Sequence, residues 1–124
     1  MNYFNTTAGY GSAGLQSIAC GFAPTMVRCT VGKKNGVTQN FAHFSIGSGD
    51  MNFCNVDSVY QDTMGGTTRT DSSAYKLVSH FERNGSNVIT EVLAVSLDSF
   101  TATGIVLNIT TGNPNYSIFI EIFG

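Results

Sequence analysis

Tryptophan is absent from this chain, proline occurs twice, and charged residues make up 11% of it, less than half the usual share of about 25%. Each shortage excludes something. Six basic residues against eight acids leave a net charge of −2. The basic residues are scattered, so there is no cationic face of the kind that neutralises nucleic-acid phosphates. No run is apolar for long enough to span a bilayer, and Met1 to Thr7 lack both the basic region and the apolar stretch of a secretory signal. Neither a nucleic-acid nor a membrane partner is expected, and the chain is expected to be made in a cytoplasm. The missing tryptophan counts against carbohydrate recognition, although tyrosine and phenylalanine remain as substitutes.

Cysteine is also sparse. Cys20, Cys29 and Cys54 are odd in number and belong to no CxxC or Cys/His cluster of metal spacing, so no disulfide scaffold, metal or cofactor is expected. Cys29 shares a strand face with Val27 and Val31 and reads as a small buried hydrophobe. Asn5, Asn84 and Asn108 open complete glycosylation sequons that carry no meaning without a secretory route.

Asn, Thr, Ser and Gly stand where Lys and Glu would normally be. Hydroxyls and amides cost far less to cover than ions, so such a surface suits assembly with neighbouring subunits; it equally suits the neutral exterior of a secreted or viral β-domain. At 124 residues with 42% hydrophobic content the chain is long enough for one domain with its own core. No internal repeat or linker divides it.

Short segments of period-two alternation separated by Gly, Asn and Pro predict an all-β, single antiparallel β-sandwich. Strands are expected at Leu15 to Cys20, Met26 to Gly32, Val37 to Ile46, Met51 to Gln61, Tyr75 to Glu82 and Asn87 to Leu97. Asn35-Gly36 and Asn84-Gly85 mark hairpin turns. Gly21 to Pro24 is a strand-to-strand junction with Phe22 tucked inward. Gly47 to Asp50 and Asp98-Ser99 read as breaks. Asp62 to Ser73, with Gly65-Gly66, four Thr and two Ser, reads as an exposed loop. Phe100 to Thr111 and Tyr116 to Phe123 flank Gly112 to Asn115 and are expected to form a C-terminal hairpin. In its last strand Ile118, Ile120 and Ile122 share one face and Phe119, Glu121 and Phe123 the other, which predicts burial on two sides. Residues 1–14 read as an N-terminal arm with Tyr3, Phe4 and Tyr10 as anchors, and 15–124 as the sandwich.

Signatures of catalysis are missing. Ser45-Ile46-Gly47-Ser48-Gly49 fails the spacing of a nucleophile elbow. His43 reads as a strand histidine, and neither it nor His80 has a triad context. Asp50, Asp57 and Asp62 lack calcium-loop spacing. No catalytic residue, metal ligand or cofactor site is assigned, and no enzyme is expected.

One stretch, Gly21-Phe22-Ala23-Pro24-Thr25-Met26-Val27-Arg28, resembles the Gly-Phe-x-Pro-x-x-Val opening of small β-sandwich proteins of tailed bacteriophages, the head-decoration, head-fibre and tail-fibre modules. Leu97 to Ile109 resembles their late strand, with Ser99 where glycine is usual, and Tyr116 to Gly124 their closing aromatic strand. The resemblance implies a jelly-roll-like virion component that commonly forms trimers. The expected role is then a capsid decoration or cement protein on the major capsid protein, a homotrimer with Tyr3, Phe4, Tyr10, Phe119, Ile120 and Phe123 at its interface. The alternative is a tail-fibre or head-fibre receptor-binding module presenting the Asp62 to Ser73 loop; a glycan depolymerase is the third reading.

Overall fold

The alternating segments become strands in the computed structural model, which describes the backbone of residues 1–32, 43–62, 65–72, 76–83 and 89–124 and the side chains of 1–32, 45–56, 76–82 and 90–124. In chain order these are β1 (Tyr3–Ala8), β2 (Gly14–Ala19), β3 (Met26–Val31), β4 (His43–Gly49), β5 (Cys54–Asp62), β6 (Gly65–Ser72), β7 (Lys76–Arg83), β8 (Ile89–Phe100), β9 (Gly104–Thr111) and β10 (Ile118–Phe123). They build two antiparallel sheets, a larger one ordered β1-β10-β3-β4-β5-β6 and a smaller one ordered β2-β9-β8-β7. The chain ends nest in jelly-roll fashion, β1 on β10 in one sheet and β2 on β9 in the other. The middle of the chain adds meander hairpins.

Inward residues follow the two-residue period of a strand. Val27, Cys29 and Val31 from β3, Ile118, Ile120 and Ile122 from β10, Leu93, Val95 and Leu97 from β8, and Ile105, Leu107 and Ile109 from β9 form the core between the sheets. β7 crosses over β3, β4 and β5, and every residue from Leu77 to Phe81 is buried. At the junction between β2 and β3, Gly21 adopts φ +86°, a left-handed conformation suited to glycine. There the amides of Cys20 and Gly21 both donate to the Thr103 carbonyl, and Phe22 packs on the core.

Several sequence expectations are corrected. Residues 3–8 are no arm: β1 pairs with β10 from Tyr3↔Phe123 to Ala8↔Ile118, and Asn2 and Gly124 close the ladder with reciprocal amide bonds of 2.7 and 3.0 Å. A polar, Thr-rich strand at a sheet edge needs only one apolar face, here Phe4, Thr6 and Ala8, so its composition resembles that of a free segment. Composition hid β6 as well. Gly65–Ser72, expected as loop, pairs with β5 from Asp62↔Gly65 to Asn55↔Ser72, and threonine is a strong strand former.

The Gly47 break is absent because β4 runs on to Gly49. Asp98-Ser99 lies inside β8, where the pairing register with β9 shifts between Leu97 and Ser99; a bulge absorbs the irregularity without ending the strand. The real turn is one step later, at Thr101 to Thr103, where the Thr101 amide and hydroxyl both donate to the Gly104 carbonyl at 2.8 and 3.1 Å. The C-terminal hairpin is also corrected, since β9 and β10 lie in different sheets and Gly112 to Asn115 carries the chain across the sandwich. The Asn-Gly turns at Asn35-Gly36 and Asn84-Gly85 lie outside the described residues.

Candidate functional site

β1, β10 and β3 lie side by side in the larger sheet, and their outward residues form a surface cluster. Glu121 faces outward from β10 yet is only 8% exposed, because Arg28 and Tyr3 cover it. The Arg28 guanidinium donates through Nε to Oε2 at 2.6 Å and through a terminal nitrogen to Oε1 at 2.8 Å. This two-pronged geometry is the strong form of the ion pair. The Tyr3 hydroxyl donates to Oε1 at 3.0 Å. Tyr3 also leans on Phe123 with ring centroids 5.3 Å apart, and the guanidinium lies 5.8 Å from the centre of the Phe123 ring.

These contacts set the local electrostatics. The Arg28 hydrogen bonds, and then that of Tyr3, hold the Glu121 carboxyl below the ordinary glutamate value against the opposing effect of desolvation. Glu121 in turn raises Arg28. Desolvation first, and the neighbouring carboxylate second, raise the Tyr3 hydroxyl. The charges thus cancel within the cluster, while Tyr3, Met26 and Phe119 remain 50%, 39% and 39% exposed. The patch is aromatic and nearly neutral, with Asn5 and Thr7 as exposed polar members.

The six residues expected at an interface therefore divide. Tyr3, Phe119 and Phe123 stand on this outer face. Phe4 and Tyr10 pack against the chain's own core, and Ile120 is 0% exposed inside it, so the period-two register that puts Phe119 outside puts Ile120 inside. The expected two-sided burial of the last strand is met differently from the expectation: its outer face is covered at Glu121 by Arg28 and Tyr3, with Phe119 left open.

A second cluster lies inside the sandwich. Ser45 of β4 and His80 of β7, each 1% exposed, join the two sheets through Oγ and Nδ1 at 3.1 Å. The Tyr116 ring meets His80 edge-on at 4.7 Å, and its hydroxyl donates to Glu82. Burial, followed by Glu82, raises the Tyr116 hydroxyl, which keeps it a donor. Sequence reasoning missed this cluster, because nothing in the sequence names the partner strand that brings His80 onto Ser45. The side chain of His43 lies outside the described residues.

A third feature is a groove of about 470 Å³ beside the turn between β4 and β5, lined among others by Thr25, Met26, Ser48, Asp50, Phe53 and Asn55. Asp50 fixes this turn: its Oδ1 accepts the amides of Asn52 and Phe53 at 2.7 and 2.9 Å, and its own amide donates to the Phe53 carbonyl at 2.9 Å. The Asn52 and Phe53 amides hold the Asp50 carboxyl below its ordinary value. Phe53 is left 59% exposed at the rim.

Among the described residues no group of three His, Cys, Asp or Glu stands together to hold a metal ion. No family model matches the chain, and no curated protein matches it. A solved structure similar to it is the tailspike protein of Acinetobacter phage vB_ApiP_P1, with a TM-score of 0.36 and 8% identity over 98% of this chain. The chain spans 21% of the length of that tailspike chain.

Proposed function

We propose that this chain is a structural module of a bacteriophage virion, and that it serves in a tail fibre or head fibre as a non-enzymatic binding module. The observation that carries the reading is the outer face of the larger sheet. Exposed Tyr3, Met26 and Phe119 surround an Arg28–Glu121 pair whose charges are already satisfied within the chain. Covering such a face with another subunit buries apolar area at roughly 25 cal/mol per Å² without stripping water from an unpaired ion. The Gly21 to Arg28 and Tyr116 to Gly124 stretches, which resemble phage β-sandwich modules, run along the same strands.

The fibre role is favoured over capsid decoration by the place of β1. The N-terminal segment read as an arm that orders on a neighbouring surface is instead, over residues 3–8, committed to the domain's own sheet. The proposed partners are two further copies of the chain, in a trimer built on Tyr3, Phe119 and Phe123, together with other virion proteins.

Light scattering on the purified chain is expected to give three times the mass of one subunit, and Phe119→Asp to give a folded monomer, since Phe119 is half outside the core. Immunogold labelling of virions is expected to mark fibres. A wild-type monomer at every concentration would remove the assembly surface, and label spread over the head lattice would restore the decoration role.

A further inference from the structure

We propose that the groove beside the β4–β5 turn binds a neutral saccharide, with Phe53 stacked on the C–H face of a sugar ring and Asp50, Ser48 and Asn55 bonded to its hydroxyls. The proposal deepens the fibre-module reading and rests on it for the source of the sugar, a glycan of the host surface.

The starting point is Phe53. A phenylalanine 59% exposed contributes little to the core, yet its backbone is fixed by two hydrogen bonds to Asp50, with a third from Asn52 to the same carboxylate oxygen holding the turn. A rigid turn that presents an aromatic ring to solvent is a preorganised contact surface. Met26 extends the apolar wall and is itself 39% exposed.

The remaining lining selects the ligand by chemistry. The 470 Å³ of the groove fall within the roughly 300–1,000 Å³ of small-ligand sites. No Lys or Arg stands among the described residues of its walls, while the turn amides favour the ionised Asp50 carboxylate, so an anion is repelled. The described lining offers a single carboxylate, too few oxygens for calcium, which takes about six to eight. An apolar ligand would strand the hydroxyls, amide and carboxylate of Thr25, Ser48, Asn55 and Asp50 without water.

A pyranose satisfies both halves of the wall. Its axial C–H groups carry partial positive charge and suit the negative face of an aromatic ring, and its hydroxyls donate to a carboxylate and accept from an amide or hydroxyl. Thr25 already spends its proton on the Phe123 carbonyl at 3.3 Å and offers lone pairs only. Asn55 adds an unmet group, since its Oδ1 is buried and takes no hydrogen bond from the described residues. A ligand hydroxyl that reaches Asn55 in the groove lining supplies that donor.

The test is a titration of the ¹⁵N-labelled full chain with maltotriose, mannotriose and triacetylchitotriose, with sialyllactose as the anionic control. At least one neutral trisaccharide is expected to shift the amides of Ser48, Gly49, Asn52, Phe53 and Asn55. Phe53→Ala is expected to weaken that binding roughly three- to tenfold with the melting temperature unchanged, because the ring lies outside the core. Silence at those amides with all three neutral sugars up to about 20 mM overturns the proposal, as does binding that ignores Phe53→Ala or that favours sialyllactose. Binding that meets these criteria in a protein whose immunogold label is absent from virions overturns the fibre reading alone.

Discussion

The backbone of Leu77 on β7 lies so close to Gly47 on β4 that a β-carbon at Gly47 would fall inside the Leu77 carbonyl group. This is the point where the edge of the smaller sheet crosses the larger one. Glycine is required here by space, in the middle of a strand that continues to Gly49.

Gly47→Ala is therefore expected to destabilise the domain by at least about 2–3 kcal/mol, the upper range for overpacking, because the obstacle is main chain and cannot rotate away. Urea denaturation of the variant checks this. A midpoint equal to that of the wild type would show that β4 and β7 separate at little cost.

That glycine also shows where sequence reading stops. Val27, Cys29 and Val31, and Ile118, Ile120 and Ile122, announced their inward face because an interior strand has a strict apolar period. Gly47 read as punctuation, since a missing side chain signals a turn and a close approach equally well. β1 and β6 were read as arm and loop because these edge strands carry few large apolar residues and several threonines. The Arg28–Glu121–Tyr3 cluster depends on β10 lying between β1 and β3, and the groove on Phe53 being held by Asp50. Both depend on non-local pairing or turn geometry that local periodicity does not encode.

Acid should weaken the fold through Glu121. Its folded value is depressed, so its contribution is fully present above the unfolded glutamate value of about 4.3 and is lost as pH falls through the lower folded value. Arg28 is 42% exposed, and solvent screening keeps the pair near 1 kcal/mol. Glu121→Gln should lose about that amount at neutral pH and show a flatter decline below about pH 4.3. Thermal melts at a series of pH values measure both. Parallel curves for the variant and the wild type would mean that the acid limb belongs to other carboxylates.

Thiol labelling should divide the cysteines by burial. Cys29 and Cys54 are 1% and 0% exposed, and burial pushes the Cys29 thiol up to about 12, so it has almost no thiolate to react at neutral pH. Cys20 is partly exposed. Iodoacetamide is expected to modify Cys20 in the native protein and all three cysteines in denaturant, as read by peptide mass mapping. Native labelling of Cys29 at the Cys20 rate would mean that the core opens readily between β3 and its neighbours.

Ile120→Asp tests the core position of β10. Ile120 is 0% exposed and pairs across the ladder with Thr6 on one side and Cys29 on the other. A carboxylate there has no partner. Its burial costs several kcal/mol, comparable with the roughly 5–15 kcal/mol that hold a domain together. The variant is expected to be unfolded by circular dichroism, whereas Phe119→Asp, one residue away on the outer face, is expected to fold. A folded Ile120→Asp protein would contradict the strand register.

Tyr116 separates shape from hydrogen bonding in the interior cluster. The residue is 0% exposed and stands where the chain, having left β9, enters the larger sheet. Its ring packs on His80 and its hydroxyl reaches Glu82. Tyr116→Ala removes both and should cost about 3–5 kcal/mol, as large-to-small changes at buried aromatics do. Tyr116→Phe keeps the ring and takes away one donor from Glu82, for which about 1–3 kcal/mol is expected. Because burial and Glu82 keep the phenol protonated, the difference between Tyr116→Phe and wild type should hold across neutral and mildly alkaline pH. Urea midpoints of the two variants give the partition directly. If the phenylalanine protein matches the wild type, ring packing alone secures the crossover between the sheets.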